Sequence, residues 1–476
     1  MSLSDTSGNE IQVATAEAAA AIGARLDRLG SSRAIWTLVL LISTGGLFEG
    51  YTIFTAAYIA PGIVRSGILT AATTSFFGTT GYASFLAVTF AGFLVGTSCV
   101  SFVVDKFGRR RIFTWALLWF SIASAVMAFQ ATANGLNFWR FLSGIGVGVE
   151  AITIDAYLSE LMPKASRGKA FALNTAILFT ASPICAALAI WLVPISPYGL
   201  DGWRWIVLVG ALGALVIWPL RLRIPESPRW LATHGRIAET EAIVTALEAR
   251  VRRDTGRELP PVERGENVVI ETAGPGRFME IFDRAYISRT VMLSIFNMFQ
   301  AVGLYGFLNW VPTLLVQQGV SVTQSLSYTF GMSLAVPFGP LVAMAFADRI
   351  ERKWQIVGVA LIMAAAGLAF AQMRDPYLLI PTGAVVTLCG PILNFAFHAY
   401  QSELYPTRIR ARAVGFVYSW SRISGFLSSF VIAATLGGYG VTGVLLLISG
   451  STVVVALSIG LLGPRTSGRS LEALAH

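Results

Sequence analysis

The 476-residue chain is 55% hydrophobic and 13% charged, where a soluble domain carries about a quarter of its residues charged, which excludes a soluble globular protein of this length. Its formal charge of +9 could suit a nucleic-acid partner, but all except five of its 35 Lys and Arg fall in the termini, in alternate loops between apolar runs or at the span ends that adjoin those loops. That is the positive-inside pattern of a multi-pass membrane protein.

Residues 1–33 form a polar tail with the basic group Arg25, Arg28 and Arg33, and the tail lacks the apolar core of a cleavable signal peptide. Twelve apolar runs follow, each long enough for a helix rising ~1.5 Å per residue to cross ~30 Å of hydrocarbon. We number them spans 1 to 12: 34–57, 81–104, 111–130, 136–160, 169–194, 203–222, 287–316, 324–347, 354–372, 377–403, 412–436 and 440–463. Between spans 6 and 7 lies a charged segment, 223–286, with a helical stretch Ala238–Arg253. The cysteines Cys99, Cys185 and Cys389 sit apart inside apolar runs, so neither a disulfide framework nor a metal cluster is expected.

The runs are two copies of one unit. Asp105-Lys106-Phe107-Gly108-Arg109-Arg110-Arg111 returns 243 positions later as Asp348-Arg349-Ile350-Glu351-Arg352-Lys353. The same ungapped offset places Glu160 on Glu403 and Arg167 on Arg410. The expectation is an all-α integral membrane fold of two pseudo-symmetric six-helix bundles, 34–222 and 287–463, joined by a cytoplasmic linker, 223–286. Both the tail 1–33 and the tail 464–476 then face the cytoplasm. Such repeats build transporters whose halves rock about a central site. Asp105, Arg109, Glu160 and Arg167, with Asp348, Arg352, Glu403 and Arg410, are read as gating and assembly residues at cytoplasmic helix ends. An exposed ion pair contributes only ~0–1 kcal/mol, enough to bias a conformational equilibrium.

The loop 105–111, the span-4 run Arg140-Phe141-x-x-Gly144-x-Gly146-x-Gly148 and Pro225-Glu226-Ser227-Pro228-Arg229 together resemble the signature motifs of the major facilitator superfamily. Glu226 and Arg229 then join the gating set as a further brace. Within that superfamily the chain resembles sugar-porter-like bacterial metabolite:proton symporters of the nicotinate and aromatic-acid type. The stretches carrying this are Phe48-Glu49-Gly50-Tyr51, Glu150 through Glu160, Asn309-Trp310-Val311-Pro312 and Ser421-Arg422-Ile423-Ser424-Gly425. The chain departs from aromatic-acid carriers at Thr52, where they show a second acid, and from sugar carriers at Asn297-Met298-Phe299-Gln300, where they show a Gln pair.

The resemblance implies proton-coupled symport of a small organic anion, an aromatic or other monocarboxylate, by alternating access in the bacterial inner membrane. The expected partners are the small-molecule substrate, protons and the lipid bilayer, with the chain working as a monomer and without a cofactor, metal or nucleic acid. A sugar or polyol symporter is the alternative. A membrane nutrient sensor would need an output domain, and an enzyme would need a catalytic cluster that three His and three Cys do not supply.

An ionisable side chain in the bilayer costs several kcal/mol unless it has a partner or faces a wet cavity. Arg422 offers a planar, permanently charged fork suited to a carboxylate; a structural pair with Glu49 or Glu150 is the alternative. For proton coupling Glu49 comes first, because a carboxyl in an apolar wall needs a proton or a cation to neutralise it, with Glu150 and Asp155 as rivals. Five helical residues turn ~140°, so Glu150 and Asp155 cannot share a face. Glu150 shares its face with Thr153 and Tyr157, which favours Glu150 as the one facing the cavity. Asn394, His398 and Gln401 form a polar stripe on span 10, and Asn297, Gln300 and Asn309 line span 7. With Tyr51 and Tyr157 these are candidate pocket residues, helix packing being the other use for them.

Overall fold

The computed structural model describes residues 21–70, 73–75, 81–99, 106–262, 278–346 and 349–466. The positions of Asp105 and Asp348 lie outside them.

Span 1 is Arg33–Arg65, and the other five of the first half are Gly81–Cys99, Arg109–Ala128, Ala133–Leu161, Lys164–Leu192 and Gly202–Arg221. The second half has Ile287–Gln317, Val322–Ser333 with Phe338–Phe346, Arg352–Gln372, Pro376–Glu403 and one long helical stretch, Thr407–Leu462. That last stretch is interrupted at Gly440, whose φ of +65° favours glycine, and this divides span 11 from span 12. Span 8 is broken after Ser333, where Pro337 cannot donate to the helical ladder. Span 1 runs eight residues past its expected end and carries Pro61 inside it, a substitution that spanning helices tolerate when neighbours satisfy the freed carbonyl.

Caps set several starts. Ser32, Thr132 and Ser321 accept from the backbone N–H three residues on, at 3.3, 3.1 and 3.3 Å. Asp375 with Pro376 opens span 10. The glycines of the span-4 motif are explained by packing on two sides. A methyl at Gly144 would lie 2.7 Å from Thr89 O, and one at Gly148 2.5 Å from Phe93 O, both on span 2. One at Gly146 would lie 2.8 Å from the Trp119 and Phe120 side chains of span 3. Small residues let helix backbones approach where lipid supplies no hydrophobic drive.

The apolar cores divide by side. One cluster joins the halves, with Tyr58, Ile59 and Phe85 of the first packed with Leu304, Phe307 and Val311 of the second. Two further clusters lie on the side where the linker sits. One belongs to the first half and includes the linker helix residues Val244, Leu247 and Val251, and the other belongs to the second half with Ile281 and Tyr286 from the end of the linker. The bundles therefore meet on the far side and hold separate cores on the linker side. The linker helix, Ile237–Thr255, docks on the first half. There Glu248 accepts from Arg25 Nε at 3.0 Å and Arg28 Nη2 at 2.7 Å, and Asp254 accepts from Ala34 N at 2.6 Å.

Candidate functional site

Spans 1, 4, 7, 10 and 11 bring polar residues to the seam between the halves, about midway along spans 1, 7 and 11 and nearer the linker-side ends of spans 4 and 10. Span 11 delivers Arg422, which is 7% exposed. Its guanidinium lies 3.9 Å from the centre of the Phe93 ring, on span 2, and 4.6 Å from the Tyr418 ring, one turn back on its own helix. Arg422 Nη2 donates to Tyr418 Oη at 3.0 Å, and Tyr305 also reaches the guanidinium. No carboxylate is within ion-pair distance of Arg422 among the described residues, and its buried Nε has no acceptor. Glu49, Asp155 and His398 face it at longer, Coulombic range. The structure thus holds a buried cation stacked on two rings, with neutral hydroxyls as its direct partners. Such a cation is expensive unless an anion completes it.

The acids divide differently from the sequence expectation. Glu150 is fully buried in an ion pair with Arg221 of span 6, which also donates from Nη1 to Phe113 O at 2.7 Å and lies 3.8 Å from the Phe113 ring. Glu150 therefore points into the first bundle and not into the seam, which corrects the orientation read from Thr153 and Tyr157. The ~140° between the two acids means that burying one exposes the other. Asp155 is exposed, near the linker-side end of span 4. Glu49 is 8% exposed and interacts with both Asp155 and Arg422.

Two other pocket candidates are also turned away. Tyr157 is fully buried, packs on Phe113 and directs its hydroxyl to Pro225 O. Tyr51 donates to Ile206 O at 2.7 Å and so closes span 1 onto span 6. On span 10, Gln401 Nε2 donates to His398 Nδ1 at 3.1 Å, and His398 packs edge-on against Tyr418 at 5.0 Å. This ties the polar stripe to the Arg422 site, with Asn394 half-buried one turn further on. On span 7, Asn297 Oδ1, Gln300 Nε2 and Asn309 Oδ1 are buried without partners among the described residues. Asn309 lies towards the far side, where its carbonyl accepts from Tyr82 Oη of the first half at 3.1 Å, and the Tyr82 ring meets Trp310 at 5.4 Å. Phe90 and Tyr305 close the next layer at 4.9 Å. Arg140 is fully buried on the far side, donating to Thr89 Oγ1 at 2.8 Å and Thr52 O at 2.7 Å.

At the linker side the expected charges form brackets within each half. Arg109 donates to Glu160 Oε1 from Nε at 3.2 Å and Nη2 at 3.0 Å, and Arg352 pairs with Glu403. Arg167 Nη2 donates to Met162 O at 3.3 Å and Arg410 Nε to Tyr405 O at 3.1 Å, again 243 positions apart. Glu226 accepts from the backbone N–H of Arg109 at 2.9 Å and of Arg110 at 3.1 Å, capping span 3. Gly108, at φ +92°, leaves the space for that carboxylate. In the second half Glu351 stands in the glycine's place and accepts from Thr466 N at 3.1 Å, so the acid has changed sides of the contact. Arg229 Nη2 lies 3.7 Å from Asp27.

Sequence reasoning missed Arg221, Phe93 and Tyr418. Arg221 was counted with the loop cations although it falls within the expected span 6, and Tyr418 precedes Arg422 by four residues, the spacing of helix neighbours.

Residues 38–476 match the family model described as Sugar (and other) transporter. The chain is 30% identical to the putative metabolite transport protein YdjK of Escherichia coli (strain K12), covering 95% of this chain and 96% of that one. It is 26% identical to the niacin transporter NiaP of Acinetobacter baylyi (strain ATCC 33305 / BD413 / ADP1), covering 94% and 98%. Among solved structures, the partially occluded inward open conformation of the xylose transporter XylE from E. coli aligns with a TM-score of 0.70 at 20% identity, covering 92% of this chain and 100% of that one.

Proposed function

We propose a function from one premise: the chain belongs to the sugar (and other) transporter family. It is a multi-pass membrane transporter with the major facilitator fold. Our reading is that it carries a small monocarboxylate, of the aromatic class that includes niacin, together with a proton by alternating access. The positive-inside pattern orients the linker and both tails to the cytoplasm of a bacterial inner membrane.

The observation that carries this reading is Arg422: a buried guanidinium at the seam, flanked by Phe93 and Tyr418, with no acceptor on Nε and no carboxylate bonded to it among the described residues. A substrate carboxylate would complete its hydrogen bonds while the two rings receive an apolar body. Glu49 and Asp155 are then the proton carriers. When both are ionised they neutralise Arg422 from a distance and repel an incoming anion. A proton taken up by either leaves the cation to the substrate, so proton and anion enter together and the charge of the site stays nearly constant. The far side is closed by Tyr82, Trp310, Phe90 and Tyr305 between the halves, while the linker side keeps separate cores. Alternating access is the exchange of that closure from one side to the other, with the brackets at Arg109 and Arg352 engaging and releasing.

A second reading, a sugar or polyol symporter, draws on the unpartnered amide atoms of Asn297, Gln300 and Asn309, which suit hydroxyl groups. Thermal stabilisation of the purified protein by a panel of aromatic and aliphatic acids and sugars, read at two pH values, separates the two. Stabilisation by carboxylates alone, stronger at low pH, is the expected result. Stabilisation by hexoses or pentoses and not by acids replaces it with the second reading.

A further inference from the structure

Away from the central seam, the linker-side ends of spans 3 and 6 and the start of the linker helix enclose a cavity of about 320 Å³. Its walls include Arg110, Arg111, Trp115, Trp218 and Arg236. Arg111 is exposed and makes no hydrogen bond or ion pair among the described residues. The indole Nε1 of Trp218 is buried and has no acceptor. Two carboxylates also line the space, and both already have partners. Glu226 is held by the N–H groups of Arg109, Arg110 and Ser227, and Glu239 by Arg236 at 2.8 and 2.6 Å. The unspent groups are therefore a guanidinium and an N–H donor, with Arg110 and Arg236 beside them, and they call for an acceptor-rich anion.

The location says where that anion comes from. Trp115 is 63% exposed at the first turns of span 3, and above it the outward face of span 6 presents Leu212 and Val216 at 57% and 75% exposed. Exposed tryptophan next to an exposed apolar stripe marks the boundary between headgroups and acyl chains. The internal repeat supplies a control. Moving 243 positions on replaces Arg111, Thr114 and Trp115 by Trp354, Val357 and Gly358. The brackets Arg109–Glu160 and Arg352–Glu403 persist in both halves, so conformational gating does not require these cavity residues.

We propose that this cavity binds the phosphate-bearing headgroup of an anionic phospholipid from the leaflet on the linker side, held by Arg111 and the Trp218 indole N–H, with Arg110, bonded to Leu222 O, and Arg236, bonded to Glu239, adding positive charge to the walls. Basic pockets between membrane helices on the cytoplasmic side suit such headgroups, and each cation near the headgroup layer strengthens binding about five-fold. Since Arg236 opens the linker helix, an occupied site clamps that helix to spans 3 and 6. The inference rests on this cavity alone and is independent of which solute crosses the membrane.

The test is thermal unfolding of the full-length protein in detergent, titrated with phosphatidylglycerol, phosphatidylcholine or glycerol 3-phosphate. Phosphatidylglycerol is expected to raise the midpoint, less so at high salt, and phosphatidylcholine is not. Arg111→Gln, at an exposed position that leaves the fold intact, should shift the titration to about five-fold higher lipid. Trp218→Phe, which keeps the ring and removes the donor, should weaken it as well. Arg253→Gln, the same charge change on the exposed face of the linker helix, should leave it alone. Equal responses of wild type, Arg111→Gln and Trp218→Phe would overturn the site. An equal response to phosphatidylcholine would do the same, and an equal response to glycerol 3-phosphate would overturn the lipid as its source.

Discussion

The two halves of this chain agree at their linker-side ends and disagree at their centres. The brackets repeat residue for residue, Arg109–Glu160 with Arg352–Glu403 and Arg167–Met162 O with Arg410–Tyr405 O. Away from the brackets the correspondence ends. Glu49, Glu150 and Arg221 of the first half answer to Met292, Leu393 and Pro464 of the second, and Arg422 answers to Phe179. Only Asp155 faces a titratable counterpart, His398. The first half thus brings acids to the seam and the second brings the cation, so the site exists only where the halves meet. Duplication kept the bracket ion pairs symmetric and let the charges inside the spans diverge.

The comparison breaks most visibly at the ion pair that only the first half has. Arg221→Leu strands the Glu150 carboxylate in a fully buried place, and the expected loss is ~3–5 kcal/mol, seen as a large drop in the thermal midpoint. The double change Glu150→Leu with Arg221→Leu should recover most of it, because replacing both partners leaves no unpaired charge. If the single and double variants are equally unstable, the pair is not what holds spans 4 and 6 together.

Next comes the asymmetry at the seam. Arg422→Lys swaps a planar fork for a point charge, and truncating a buried charged contact costs ~2–5 kcal/mol, about 30-fold or more in uptake. The thermal midpoint should change little, since Arg422 is bonded to hydroxyls and no acid is left orphaned beside it. Uptake that survives the change would leave the anion-binding role without its residue.

Much of this was legible in advance. Twelve spans follow from length and polarity alone, and the repeat identified the brackets, because cations at helix ends are forced by the interface and need no knowledge of packing. Orientation inside the bundle was harder to read. The spacing of Glu150 and Asp155 says that one of them is turned away, but the choice depends on Arg221, which reaches Glu150 across two helices, a pairing that no local periodicity encodes. Tyr51 and Tyr157 misled for the same reason: a tyrosine that seals two helices through a backbone carbonyl has the same sequence environment as one that lines a pocket.

A smaller effect sharpens the symmetric side. Arg109→Gln and Arg352→Gln should each alter the balance between inward- and outward-facing forms by only ~0–1 kcal/mol, and by similar amounts, as read by the spacing of probes placed on the two halves. A large effect of one and none of the other would mean that a single half controls the gate.

The smallest effect concerns the linker clasp of the first half. Burial alone would push the Glu248 carboxyl up, but the hydrogen bonds from Arg25 and Arg28 outweigh it and hold the group below its ordinary range. A depressed folded value means that the clasp stabilises above the unfolded pKa of ~4.3 and loosens as pH falls through the folded one. The protection of the linker helix against hydrogen exchange, after correction for the intrinsic pH dependence of amide exchange, should therefore be high at neutral pH and fall on acidification, and Glu248→Gln should lower it already at neutral pH.

The carboxylate that caps span 3 comes from Glu226, beyond the end of span 6, so the first bundle borrows its closing part from a segment that looks like connecting chain. Anyone dividing this protein into two co-expressed fragments must therefore cut downstream of Ser227 and leave the whole docked helix Ile237–Thr255 with the amino-terminal piece. A cut at the last apolar residue of span 6 would release a fragment that lacks its own keystone.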